Sequence, residues 1–218
     1  MKTFNSKFAL TTIAGLLLAT GGGDVLAITA GVIGDNSETG FISDKENISG
    51  NIGIYAVGTK ASAIAESISI SSDSYAALYA YNGGRISVGG DSTKSVVITS
   101  TSDGINAVNL KRQGAAFVSV KASELISIVS DTYAIWGQNG TQQTQAPESH
   151  STITIEAPSI NIEGKDEAIV AFSNSEINIK GDPTIKGGTN LIDTRCYASV
   201  NINRDNSNAT TVLQGDIV

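Results

Sequence analysis

The sequence predicts an all-β fold, a right-handed parallel β-helix (β-solenoid) of about six three-strand coils. Three observations predict it. Short apolar-polar-apolar triplets rich in β-branched residues recur along the chain, and such alternation marks half-buried strands. The triplets come in pairs, and an alanine followed by an aliphatic residue precedes each pair. Aspartate, asparagine and glycine recur in the gaps, where tight corners need residues that bond their own backbone or tolerate a left-handed one. No window of comparable length carries a helical period.

In chain order, residues 1–27 read as an address. Residues 1–7 hold Lys2 and Lys7 and no acid, and residues 8–20 are apolar or weakly polar around Leu16-Leu17-Leu18. That run is shorter than the ~20 residues that span a membrane. A glycine-rich break and Val25-Leu26-Ala27 follow, which predicts a secretory signal peptide cleaved after Ala27. The solenoid region is then 28–218.

Residues 32–48 are a candidate first coil and 53–70, with Ala56-Val57 as its alanine-aliphatic segment, a short second one. The next reads Ala77-Leu78, Ile86-Ser87-Val88, Val96-Val97-Ile98. Then come Ala107-Val108, Val118-Ser119-Val120, Ile126-Ser127-Ile128, and after them Ala134-Ile135, Ile153-Thr154-Ile155, Ile160-Asn161-Ile162. Ala168-Ile169 leads to Ile177-Asn178-Ile179 and a thin third strand at Ile185. Leu191-Ile192, Val200-Asn201-Ile202 and Val212-Leu213 form the last coil. Asp73, Asp103, Asp131 and Asp166 open the first strand of successive coils, at spacings of 30, 28 and 35 residues. Asn82-Gly83, Gln113-Gly114, Asn139-Gly140 and Asn174-Ser175 mark the first corner. Irregular spacing means fixed inward strands and corners of variable length.

A single coil exposes too few apolar side chains to bury alone. Stacked at about 4.8 Å, inward Ile, Val, Ala and Leu form one column, and outward Ser, Thr and Asn meet water. The corner amides are then expected to stack and bond along the rod, as in amide ladders. The rival, an antiparallel sandwich, needs two-residue hairpins, and these are mostly absent. The chain stops at Gly215-Asp216-Ile217-Val218, inside a coil, which suggests a piece of a longer protein.

Composition narrows function. Net charge is −7; losing the leader removes two lysines and one aspartate and leaves −8. An acidic surface repels phosphate backbones, so nucleic acid is excluded as an expected partner. Cys196 is the only cysteine, so no intrachain disulfide forms.

The segment Ser74-Tyr75-Ala76-Ala77-Leu78-Tyr79-Ala80-Tyr81-Asn82-Gly83-Gly84-Arg85-Ile86-Ser87-Val88-Gly89-Gly90, with Ser95-Val96-Val97-Ile98-Thr99-Ser100, resembles the coils of autotransporter passenger domains. The leader, the cysteine poverty and Leu213-Gln214-Gly215-Asp216-Ile217-Val218 are similar to that family too. The resemblance implies a passenger carried to the surface of a Gram-negative cell by its own C-terminal β-barrel. No set of ~10-residue amphipathic strands for such a barrel follows here. The family's passengers include adhesins, proteases and esterases, so fold does not choose among them.

Catalytic chemistry finds little support. His150 is the only histidine, so a Ser-His-Asp triad would depend on it, and no Gly-x-Ser-x-Gly elbow supplies a nucleophile. One His and one Cys are too few for a zinc site, and neither cofactor nor metal is expected. Arg85, Lys111, Arg112 and Lys121 form the densest basic set and read as a solvated face. Trp136, Gln138, Asn139 and His150 frame the longest corner loop, residues 137–151, a candidate partner-binding site. The leading expectation is a structural or adhesive surface or secreted protein whose partner is a protein or glycan of a host or neighbouring cell. The alternatives are a polysaccharide-processing β-helix enzyme, a small secreted glycan-binding solenoid and an ice- or crystal-binding solenoid.

Overall fold

The computed structural model describes residues 30–34, 41–44, 46–110, 114–140, 150–203 and 210–214. The predicted leader and its cleavage after Ala27 lie outside them, as do Lys111, Arg112, Gln113, most of the predicted loop and residues 215–218.

The described residues are all β, with no helix. β1 (Ala30–Ile33), β2 (Phe41–Ser43) and β3 (Asn47–Gly50) begin the order. β4 (Ile52–Val57), β5 (Lys60–Ala63), β6 (Ser67–Ser72), β7 (Ala76–Tyr81), β8 (Arg85–Gly89) and β9 (Ser95–Ser100) follow. Then come β10 (Asp103–Asn109), β11 (Phe117–Lys121), β12 (Leu125–Ser130), β13 (Tyr133–Asn139) and the long β14 (Ser151–Gly164). β15 (Glu167–Phe172), the long β16 (Ser175–Gly187), β17 (Asn190–Arg195), β18 (Ser199–Ile202) and β19 (Val212–Gln214) complete it.

Every pairing among the described residues is parallel, and from β1 to β11 each strand pairs with the one three places on, as β4 with β7 and β7 with β10. Parallel pairing throughout removes the antiparallel sandwich. The first strands of each repeat form a seven-stranded sheet, β1-β4-β7-β10-β13-β15-β17. The second and third strands form a twelve-stranded sheet. They join because β14 and β16 each run through both places, with a register irregularity between Glu156 and Ser159.

One core runs between the sheets. Ile86, Val118, Ile153 and Ile177 align in register in one column. Ile70, Ile98, Ile128, Ile162 and Ile185 align in another, all fully buried. Each buried isoleucine contributes about 1.5–3 kcal/mol of transfer free energy. Enclosure fades at the last repeat, where Leu213 is 42% exposed.

Register corrects three sequence assignments. Leu78 aligns with Ile54 and Ile105, not with Val57 and Val108. Glycine stands before the aliphatic in those repeats, as Gly53 and Gly104, so the alanine-aliphatic motif matched three residues downstream. A Cβ on Gly53 would come within 2.4 Å of Ile70 Cγ2, and one on Gly104 within 2.5 Å of the Ala134 carbonyl. Second, the four aspartates do not share one position. Ser72, Ser100 and Ser130 align, which places Asp73 and Asp131 over Thr101, while Asp103 aligns with Ala76.

Third, the corner stack keeps Asn82 and Asn139, with Asn109 and Ser173 as its other members. The residue after the aligned Tyr81, Val108, Gln138 and Phe172 is Asn82, Asn109, Asn139 and Ser173. Asn109 Nδ2 donates to Asn139 Oδ1 at 2.7 Å, and Leu110 N donates to Asn82 Oδ1 at 3.1 Å. Asn109, already inside β10, takes the place assigned to Gln113. The chain turns here through paired left-handed residues: Asn82 and Gly83 (φ +43° and +85°), Ser173 and Asn174 (+47° and +56°), and Cys196 and Tyr197 (+59° and +63°). Asparagine and glycine accept that backbone at low cost, and serine, cysteine and tyrosine do not.

Candidate functional site

In the seven-stranded sheet, Ile54, Leu78, Ile105 and Ile135 point into the core, and so do Ala56, Ala80 and Ala107 two residues on. The residue between them points out, because successive strand side chains face opposite ways. Register stacks those outward residues into one column: Ile33, Tyr55, Tyr79, Asn106, Trp136, Val170 and Asp193. A second outward column holds Val57, Tyr81, Val108, Gln138, Phe172 and Arg195. Tyr75 flanks the face just before β7, and Tyr133 opens β13. Five of the six tyrosines and the only tryptophan therefore gather on one face.

The rings pack on one another. Tyr79 stacks on Tyr55 and on Tyr81, each at 5.6 Å between centroids, and Tyr75 meets Tyr79 edge-on at 5.1 Å. Tyr133 and Trp136 form a separate perpendicular pair at 4.9 Å. Tyr55 is 3% exposed and Tyr75 47%. Burial, with Tyr75 and Tyr81 beside it, pushes the Tyr55 phenol up to about 12. Burial raises Tyr79 further, and its tyrosine neighbours add to that.

Carboxylates surround the second pair. Burial raises the Tyr133 phenol first, and Glu167, Asp103, Asp166 and Asp193 raise it further. Three of these acids are tied locally. Asp103 accepts from Asn106 Nδ2 at 2.9 Å and from the Thr132 hydroxyl. Glu167 accepts from Asn190 Nδ2 at 2.7 Å. Buried Asp193 accepts from Arg195 Nε at 2.8 Å, and this bond holds the Arg195 guanidinium above its usual range. Among the described residues, no three His, Cys, Asp or Glu side chains come close enough to hold a metal ion.

The predicted site residues separate. Trp136 and Gln138 lie in the two outward columns, Trp136 half-buried, and Gln138 Nε2 donates to the Gly140 carbonyl at 3.1 Å. Asn139 turns inward, is 6% exposed and belongs to the amide ladder. His150 is exposed just before β14, with Nδ1 3.1 Å from the Asn174 carbonyl. Of the basic set, Arg85 lies over the Phe117 ring at 4.2 Å, and Lys121 pairs with Asp91 at 3.0 Å and Glu156 at 2.9 Å. Both belong to the twelve-stranded sheet, away from the aromatic face.

Sequence reasoning missed Tyr55, Tyr79, Asn106 and Asp193 as members of one column. The available signal was the residue after each inward aliphatic: Ile54-Tyr55-Ala56, Leu78-Tyr79-Ala80, Ile105-Asn106-Ala107, Ile135-Trp136-Gly137. Comparison of the chain with family models, curated proteins and solved structures finds no match.

Proposed function

We propose that the chain is an exported, non-catalytic right-handed β-helix of about six coils, led by a signal peptide and similar to an autotransporter passenger. It works by display. A stiff stack holds a chemically distinct face toward a protein or glycan of a host or neighbouring cell, at a Gram-negative cell surface or after secretion. Attachment to the outer membrane would come from a β-barrel, and nucleic acid is not a partner.

The observation that carries this reading is the concentration of aromatic side chains on the outward face of one sheet of a parallel stack. Outward aromatics held by a rigid scaffold are what recognition surfaces are made of. The acidic charge and the stacked, disulfide-free core agree with an exported rod.

Blotting of outer-membrane, periplasmic and culture fractions with an antibody to residues 138–151 tests it. A band well above 22.4 kDa in the outer membrane is expected. A band near the chain's own size, free in the periplasm or medium, overturns the autotransporter reading. Release of reducing ends from a polysaccharide by the purified chain would replace display with catalysis.

A further inference from the structure

Asn106 and Trp136 are directly paired across β10 and β13, so their side chains leave the sheet on the same side, about 4.8 Å apart at the backbone. Asn106 is 3% exposed. Its Nδ2 is held by Asp103, but its Oδ1 has no donor among the described residues. Trp136 Nε1 is also enclosed and has no acceptor among them. One buried acceptor and one buried donor thus stand on adjacent strands, unsatisfied and not bonded to each other. Such groups ordinarily find partners, and each one left alone costs free energy.

A single group that both donates and accepts would satisfy both atoms, and a hydroxyl is such a group. A pyranose ring carries hydroxyls on its rim and C–H groups on its faces, and the latter pack well against aromatic rings. The perpendicular Tyr133–Trp136 pair offers such rings beside the two orphan atoms. Charge narrows the class. Asp103, Asp166, Glu167 and Asp193 lie around Tyr133, and the nearby Arg195 is bound to Asp193. A sulfated or uronic chain would meet repulsion there.

We propose, resting on the display reading, that this face binds an uncharged saccharide. One sugar hydroxyl accepts from Trp136 Nε1 and donates to Asn106 Oδ1. The half-buried indole turns outward to admit it, and the pyranose packs against the rings. No covalent step is involved.

Trp136 is the chain's only tryptophan, so its fluorescence reports the site directly. The purified full chain is titrated with cellohexaose, maltohexaose and an N-acetylglucosamine hexamer, and separately with heparin. A saturable emission change with at least one uncharged oligomer, and none with heparin, is expected. Asn106→Leu should weaken binding about tenfold, the scale of one lost hydrogen bond, with an unchanged circular dichroism spectrum. If that variant does not fold, Trp136→Phe keeps a ring, removes the N–H, and should show the same loss by calorimetry. No response to any uncharged oligomer overturns the proposal. So does equal binding of heparin, or full affinity in the folded variants, which would leave the pair as a water site only. A chain found in the outer membrane but silent to saccharides leaves display standing and removes this inference. Saccharide binding by a chain that never reaches the surface does the reverse.

Discussion

On the seven-stranded sheet the central outward column runs Tyr55, Tyr79, Asn106, Trp136, Val170, Asp193. On the twelve-stranded sheet a comparable column runs Ser62, Ser87, Ser119, Thr154, Asn178, Asn201. Both cover the same interior of stacked Ile, Val and Ala. The interior alone therefore does not dictate what stands outside. Small hydroxyls and amides meet water at little cost and suffice for a stable parallel stack. Aromatic rings in the same positions bury one another and leave polar atoms such as Asn106 Oδ1 enclosed. The difference locates specialised chemistry on one side of the molecule.

Making the aromatic side resemble the other is the harshest test of that comparison. Tyr79 touches three other rings, so Tyr79→Ser removes the centre of the stack and should cost about 3 kcal/mol. Ser87→Ala on the opposite sheet should stay within about 0.5 kcal/mol. Urea unfolding of the two variants measures both. Similar losses would mean that the two faces contribute alike and that the contrast is one of appearance only.

Alkaline pH probes the same stack without mutation. The folded Tyr55 phenol sits at about 12, against an ordinary 10, and Tyr79 is shifted in the same direction. Between those values the unfolded chain has lost a proton that the folded chain keeps, so stability falls as pH rises. The contribution is fully present below pH 10 and is lost as pH climbs toward 12, at about 1.4 kcal/mol per unit for each such tyrosine. Urea midpoints at pH 9, 10 and 11 should decline progressively. Tyrosinate absorbance should show a late-titrating group, from Tyr55 and Tyr79, well above the ordinary phenol range. A single titration at ordinary pH, with flat midpoints, would show that the stack is not desolvated.

The inward strands were legible because burial leaves a period-two mark. Ile86-Ser87-Val88 and Ile126-Ser127-Ile128 fall in β8 and β12 as read. The strand Lys60–Ala63 carried no such mark, since Ala61 and Ala63 fill the core without branched side chains. Relative alignment was harder. Gly53 and Gly104 occupy alanine's place because backbone and side chains from the next strand approach too closely for a Cβ, and a motif built on alanine slipped past them. Outward residues carry no period at all. Trp136 could be picked out as a rare aromatic, but its partnership with Asn106 and Tyr79 depends on offsets of 30 and 27 residues that register alone supplies. The place of Asn139 is not legible either, because an asparagine before a glycine looks the same whether its amide meets water or stacks on Asn109.

The smallest expected effect lies at the corner where the aromatic sheet ends. Gly58, Asn82 and Ser173 each carry a positive φ there, at +59°, +43° and +47°. Glycine and asparagine suit that backbone, whereas Ser173 bears the Cβ penalty of about 1–2 kcal/mol. Its hydroxyl is also fully enclosed with no partner among the described residues. Ser173→Gly removes the strain and the orphan hydroxyl together, offset by glycine's greater freedom in the unfolded chain, about 0.5–1 kcal/mol. The net should be a gain of about 1 kcal/mol, seen as a higher urea midpoint with an unchanged slope. Ser175→Gly is the control. Ser175 is equally buried, but its hydroxyl donates to the Gly137 carbonyl at 2.9 Å and its backbone is not left-handed, so the same change there should destabilise. If both variants lose stability, the serine at this corner is held by its surroundings rather than strained by its backbone, and the contrast with Asn82 is one of residue type alone.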